Sequence, residues 1–271
     1  MSKIKPADVH SILGKYILAD GMEFVVDLRN SHGSWVRDAK SGEEYLDFFT
    51  FFASLPIGFN HPKMLTDDFM KKLAEVAVNK PSNSDLYTVE LAEFVETFYK
   101  IAVPEYMKHL FFISGGALAV ENALKTAMDW KVRKNFSKGI KNEKGHKILH
   151  FKEAFHGRTG YTLSLTNTAD PRKHMYFAKF DWPRVLNPKV TFPLNEDNLK
   201  KVQSAEKKSL EEIKNYIRKE GDSISAILLE PIQGEGGDNH FRKEFIHKLK
   251  EITLEEDMLL MVRSSDPRSL M

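Results

Sequence analysis

The 271-residue chain contains no cysteine, which excludes disulfides, thiolate-bound zinc and cysteine nucleophiles. It also lacks a dominant charge: 40 Lys and Arg stand against 38 Asp and Glu, a formal +2. No bulk attraction to nucleic acid or to an anionic membrane follows, and neither partner is expected. No apolar run reaches the length of a membrane span. The first twenty residues alternate charged and apolar character without a signal-peptide core, so a soluble cytoplasmic protein is expected. The Walker, G-x-G-x-x-G, H-E-x-x-H and calcium-loop patterns are all missing. The ten histidines are scattered, so neither a metal site nor a Ser-His-Asp arrangement is expected.

What is present reads in two styles. Pro6 opens a short helix expected to run to about Leu18, and FVVDLR (24–29), SWVRDA and EEYLDF read as short strands. Lys40-Ser41-Gly42 joins the last two as a hairpin. An aromatic-rich segment, Phe48 to Phe52, then leads into turn residues, so residues 1–60 look like a small antiparallel unit. Helical periodicity follows over about 64–78 and 88–102. Beyond it, apolar strands HLFFI (109–113), KILHF (147–151), ISAILLE (224–230) and MLLMV (258–262) alternate with helices over 117–135, 197–219 and 242–256. That alternation predicts an α/β fold with a mostly parallel sheet covered on both faces. The Lys- and Glu-rich helix 197–219 reads as a solvated face. The stretch 167–195, which holds Asp170-Pro171, Trp182-Pro183 and Asn187-Pro188, is long for a passive connection and is expected to pack over a site or a neighbouring subunit.

Residues 111–127, FFISGGALAVENALKTA, place small residues where a strand turns into an amphipathic helix. Val120, Leu124, Ala127 and Met128 share one helical face, and Glu121 and Lys125 stand at i and i+4. Unpaired N–H groups and the positive end of the helix dipole make such a start a natural phosphate cradle. An ordinary glycine turn fits the same residues.

Two further loops leave strand ends, the edge where ligands gather in open parallel sheets. Phe155-His156-Gly157-Arg158 offers a flat ring and a planar fork suited to a carboxylate. A buried Phe and a surface Arg are the plain alternative. Glu230-Pro231-Ile232-Gln233-Gly234-Glu235-Gly236-Gly237 sets two carboxylates and an amide on a glycine-rich loop, suited to a polar pocket.

Together SGGALAVENALKTAMDW, FHGRTGYTLSLTN and EPIQGEGG resemble the class-III pyridoxal-phosphate-dependent aminotransferases of fold type I. The forms GGALAVEN, GYTLSLTN and GGDNHF are most similar to the lysine-directed members. The resemblance reaches Val262. It implies pyridoxal 5'-phosphate held by backbone N–H groups at Gly115, Gly116 and Ala117, with Phe155 on the pyridine ring and Glu230 beside it. It implies Arg158 on the substrate α-carboxylate and Glu235 as a gate that swaps partners between half-reactions. The implied reaction moves the ε-amino group of L-lysine to 2-oxoglutarate, giving 2-aminoadipate 6-semialdehyde and glutamate. Ornithine or 4-aminobutyrate are the alternative amines, and a non-catalytic binding module is the alternative role. A homodimer completes each site in the family. Residues 1–60 would belong to a small domain and 61–262 to an incomplete large cofactor-binding domain.

After Val262 the pattern breaks. The family places an aspartate there, paired with the ring nitrogen, where this chain has Arg263, a cation that would repel a protonated ring. Asp266, displaced and before a proline, is no substitute. The lysine that forms the Schiff base is expected beyond residue 271, so no catalytic residue is assigned. The chain thus reads as a truncated or frame-shifted version of a longer protein, with 263–271 unrelated to the fold.

Overall fold

A computed structural model describes residues 4–79 and 85–264. Contacts divide the chain into two units, residues 1–109 and 110–271.

In the first unit, a 3-10 turn at Pro6–Asp8 leads into helix α1 (Val9–Leu13), which stops at Gly14. The longer helix expected to Leu18 does not form, because an exposed helix with no buried face gains little to offset its nucleation. Strands β1 (Trp35–Arg37) and β2 (Glu44–Leu46) pair antiparallel across Gly42, whose φ of 79° lets the hairpin turn. FVVDLR is not a strand. Only Val26 bridges, to Asp38, because the Asp27 carboxylate accepts the Arg29 and Asn30 N–H groups and turns the backbone away. Helices α2 (Thr50–Ala53), α3 (Asp67–Asn79) and α4 (Val89–Ala102) complete the unit. Thr88 caps α4 through the Leu91 N–H at 3.1 Å.

The second unit holds the sheet. Helix α5 (Gly116–Ser137) is followed by β3 (Lys147–Phe151), α6 (Gly160–Leu165), β4 (Arg184–Val185), α7 (Glu196–Glu220), β5 (Ile224–Leu229), β6 (Ile232–Gln233), β7 (Asn239–His240), α8 (Lys243–Glu255) and β8 (Leu259–Val262). Four strands run parallel in the order β4-β3-β5-β8, while β6 and β7 form a small antiparallel pair. All of β5 is buried, and its side chains alternate between faces. Ile227 and Leu229 pack with Ile213 and Ile217 of α7 and Phe245 and Leu249 of α8. Ala226 and Leu228 pack with Val120, Leu124 and Met128 of α5. Both faces are covered, as the continuous apolar runs require.

HLFFI, expected as a strand, makes no ladder with any described segment, and Phe111, Phe112 and Ile113 are exposed. Propensity alone does not make a strand without a partner edge. No helix among the described residues is long and apolar enough to cross a membrane.

Candidate functional site

Because β3, β5 and β8 are parallel, their C-terminal ends share one edge. From it leave the loop after Phe151, the loop after Leu229 and Arg263. The start of α5 meets the same edge: a Cβ on Gly157 would come within 2.6 Å of the Ala117 Cβ, and one on Gly116 within 3.9 Å of Arg263 Nη2. Gly157 (φ 127°) is therefore required at that close approach. Gly115 takes φ 90°, and no side chain caps the helix, leaving its first N–H groups to a ligand or water.

Glu230 lies at the centre, 2 % exposed. Its Oε2 accepts the Phe155 N–H at 3.0 Å and its Oε1 accepts Arg263 Nη1 at 2.5 Å. The same Nη1 donates to the Phe155 carbonyl at 2.7 Å, while the Arg263 N–H donates to Leu229 O at 2.9 Å, carrying on from β8. Burial raises the Glu230 pKa above the usual carboxylate range, and the Phe155 N–H and Arg263 pull it back. His156 is fully buried, with both ring nitrogens lacking a partner among the described residues. Burial first, then the Arg263 cation, holds its pKa well below the ordinary imidazole range.

The surrounding loops are braced by hydrogen bonds. Thr166 Oγ1 donates to Gly157 O at 2.7 Å and accepts the His156 N–H at 3.1 Å. Glu121 Oε1 accepts Thr159 Oγ1 at 2.5 Å and the Tyr161 N–H at 2.8 Å, closing the N-terminus of α6. The expected Glu121–Lys125 pair is not formed, since the carboxylate has turned to those stronger partners. Below the glycine-rich loop, Asn187 Nδ2 donates to Gln233 Oε1 at 2.6 Å and Asn239 Nδ2 to Glu153 Oε2 at 3.0 Å. Gly236 passes so close to Glu153 that a Cβ would sit 1.8 Å from its carbonyl oxygen.

Ala117, Phe155 and Glu230 thus converge, through Gly157 on Ala117 and the Phe155 N–H on Glu230. Gly115 and Gly116 lie at the same helix start. Arg158 is exposed with no polar contact to a described residue, and Glu235 is exposed and paired with Lys173. Neither is tied to the central cluster by any contact. The stretch 167–195 packs on this unit: Lys173 holds Glu235, and Phe180 and Trp182 stack with centroids 5.1 Å apart next to Tyr161. Sequence reasoning missed Lys173 and, although the resemblance set Arg263 at the ring side, missed its bond to Glu230. No spacing rule announces either contact. Asp266 and the rest of 265–271 lie outside the described residues.

A glycine-started helix, a half-buried aromatic and a buried glutamate meet on one edge of a parallel sheet. The family profile for aminotransferase class-III matches residues 17–263, and the chain belongs to that family. The L-lysine-epsilon aminotransferase of Mycobacterium tuberculosis is 47% identical over 257 residues, covering 94% of this chain and 56% of that protein. The enzyme of the same name from Amycolatopsis lactamdurans is 46% identical over 259 residues, with the same coverage of both chains. Human mitochondrial 4-aminobutyrate aminotransferase is 30% identical over 261 residues, covering 90% of this chain and 52% of its own. The solved lysine aminotransferase of M. tuberculosis superposes with a TM-score of 0.91 at 46% identity, over 96% of this chain and 59% of that one. The chain therefore spans a little over half the length of these relatives.

Class-III aminotransferases depend on pyridoxal phosphate. The small residues at Gly115–Ala117 and the ring of Phe155 fit its phosphate and its flat face. Arg263, bonded to Glu230 Oε1 and Phe155 O, brings a donor-only group to the same cluster where the family resemblance expects an acceptor, and no lysine hydrogen-bonds with Phe155, Glu230 or Arg263 among the described residues.

Proposed function

We propose that this chain carries the cofactor cradle of an enzyme that moves the ε-amino group of L-lysine to 2-oxoglutarate, giving 2-aminoadipate 6-semialdehyde and glutamate. The convergence of Ala117, Phe155 and Glu230 carries the reading, and the identity to lysine-epsilon aminotransferases supports the choice of amine. Pyridoxal phosphate, when bound, would supply an electron sink for amino-group chemistry. The chain's own residues do the positioning. The N–H groups of Gly116 and Ala117 would hold the phosphate, Phe155 would cover one ring face, and buried Glu230 fixes the Phe155 loop. Arg158 offers a bidentate fork to the α-carboxylate shared by lysine and 2-oxoglutarate. Glu235 answers a second cationic group, with Lys173 as its resting partner. Two subunits per site and a cytoplasmic setting belong to the same reading.

Calorimetry with 2-oxoglutarate, in the presence of saturating pyridoxamine 5'-phosphate, tests it. Arg158→Ala is expected to weaken 2-oxoglutarate about tenfold or more while leaving a simple amine unaffected. Equal losses for both would overturn the role of Arg158. Lysine binding no tighter than ornithine or 4-aminobutyrate would overturn the choice of amine. A second reading is a module that binds without turnover. A visible absorption band that borohydride bleaches would exclude it.

A further inference from the structure

Glu153, in the turn that leaves β3, takes φ 61°, a left-handed backbone that a non-glycine residue keeps only when its surroundings fix it. Here they do. Its N–H donates to Asn167 Oδ1 at 2.6 Å. Gly236 crosses against its carbonyl, where a Cβ would come within 1.8 Å of the oxygen. Its Oε2 gathers Lys189 Nζ at 2.6 Å, Asn239 Nδ2 at 3.0 Å and Asn187 Nδ2 at 3.3 Å. Asn187 and Asn239 are buried, and both also donate to Gln233 Oε1. Asn239 Nδ2 reaches Gly236 O at 3.0 Å, and Gln233 Nε2 donates to Lys152 O at 3.0 Å. The turn after β3 is therefore tied to the glycine-rich loop on both sides of Glu235. The Glu235 side chain itself bonds only Lys173 among the described residues, in an exposed pair that does little to hold it. Where its carboxylate stands is set by the backbone on either side.

We propose that Glu153 is a positioning residue for Glu235: its left-handed backbone and its three-donor carboxylate oxygen clamp Gly236 and Asn239, and so set where the Glu235 carboxylate meets the cationic group of an amine substrate. The inference rests on the role given to Glu235 above and deepens it. Glu153 does not hold Phe155, because that loop has its own ties. The Phe155 N–H goes to Glu230 Oε2 and the His156 N–H to Thr166 Oγ1. The clamp thus acts on the amine side and leaves the ring side alone. A glycine at 153 would take the same backbone without strain but would bring no carboxylate. Glu153→Gly therefore removes the clamp without adding strain.

Calorimetry on the full chain with L-lysine tests the clamp. The cradle is first saturated with 4'-deoxypyridoxine 5'-phosphate, which carries neither an aldehyde nor an amine to react. Glu153→Gly is expected to weaken lysine about five- to tenfold, the scale of one charge-assisted contact, with affinity for the pyridoxine phosphate unchanged. Glu153→Gln keeps an acceptor oxygen and should recover most of the loss. Gly236→Ala, which pushes the loop off the Glu153 carbonyl from the other side, should weaken lysine to a similar extent. On a Glu235→Gln background, Glu153→Gly should cause no further loss, whereas a general loosening of the fold would weaken both backgrounds alike. Far-ultraviolet circular dichroism confirms that each variant is folded. One readout needs no ligand: amide exchange at Gly237 and Asp238, which both donate to Gly234 O at 3.1 Å, should quicken in Glu153→Gly while the Phe155 N–H keeps its protection. Lysine affinity unmoved by Glu153→Gly, or lost equally on both backgrounds, would overturn the clamp and leave the cradle intact. A parent that binds the pyridoxine phosphate but not lysine would overturn the role of Glu235 and the clamp together. A parent that binds neither would overturn the cofactor reading and, with it, both.

Discussion

Glu121 lies in the helix that follows the glycine turn, yet its carboxylate serves a different helix. It gathers the Thr159 hydroxyl and the Tyr161 N–H at the head of α6, two donors that no backbone carbonyl reaches. Glu121→Ala is expected to lower stability by about 1–2 kcal/mol in urea unfolding, as loss of a cap does. Glu121→Gln, which keeps one acceptor oxygen, should cost less. Gly157 carries a sharper constraint, since any Cβ there meets Ala117 at 2.6 Å on a backbone that L-residues avoid. Gly157→Ala should cost about 2–4 kcal/mol and displace the start of α5. The HGR and AVEN motifs were legible in the sequence, but not the reason for them. Spacing along one helix pointed Glu121 at Lys125, while the fold supplied better donors from 38 and more residues away.

Among elements, the apolar runs behind β3 and β5 were readable because each is buried on both faces, so burial and propensity agree; β8 is only half-buried and is held by its pairing with β5. HLFFI has the same composition but no partner edge, which composition cannot report. The strand β3 also carries a titrating device. His150, on its inner face, accepts from Arg184 Nε at 2.9 Å, and burial followed by the Arg184 charge pushes its pKa down to about 3. His156 beyond the strand end is lowered in the same direction. Above pH 6.5 both states are neutral at these groups and nothing is lost. As pH falls below the unfolded value, the unfolded chain takes up two protons that the fold refuses. Stability should therefore fall ever more steeply as pH drops from 6.5, approaching about 2.7 kcal/mol per pH unit near pH 5, before most carboxylates titrate. Urea titrations at several pH values check this, and His150→Asn should roughly halve the slope. A slope near zero would mean that both imidazoles reach water.

At the scale of the whole molecule, the two units differ in how they are held. The second has a two-sided core, so Leu228→Ala should cost about 2–5 kcal/mol and loosen both β5 and α5. In the first, α3 and α4 bury none of their described residues, although apolar positions such as Phe69, Leu73, Phe94 and Phe98 recur at helical spacing. The most direct test of the account is an amide NMR titration of the chain with pyridoxamine 5'-phosphate. Binding at one cradle predicts that the N–H signals of Gly115, Gly116, Ala117 and Phe155 shift together along a single saturation curve. Shifts confined to surface lysine segments, or separate curves for the helix start and the Phe155 loop, would contradict it.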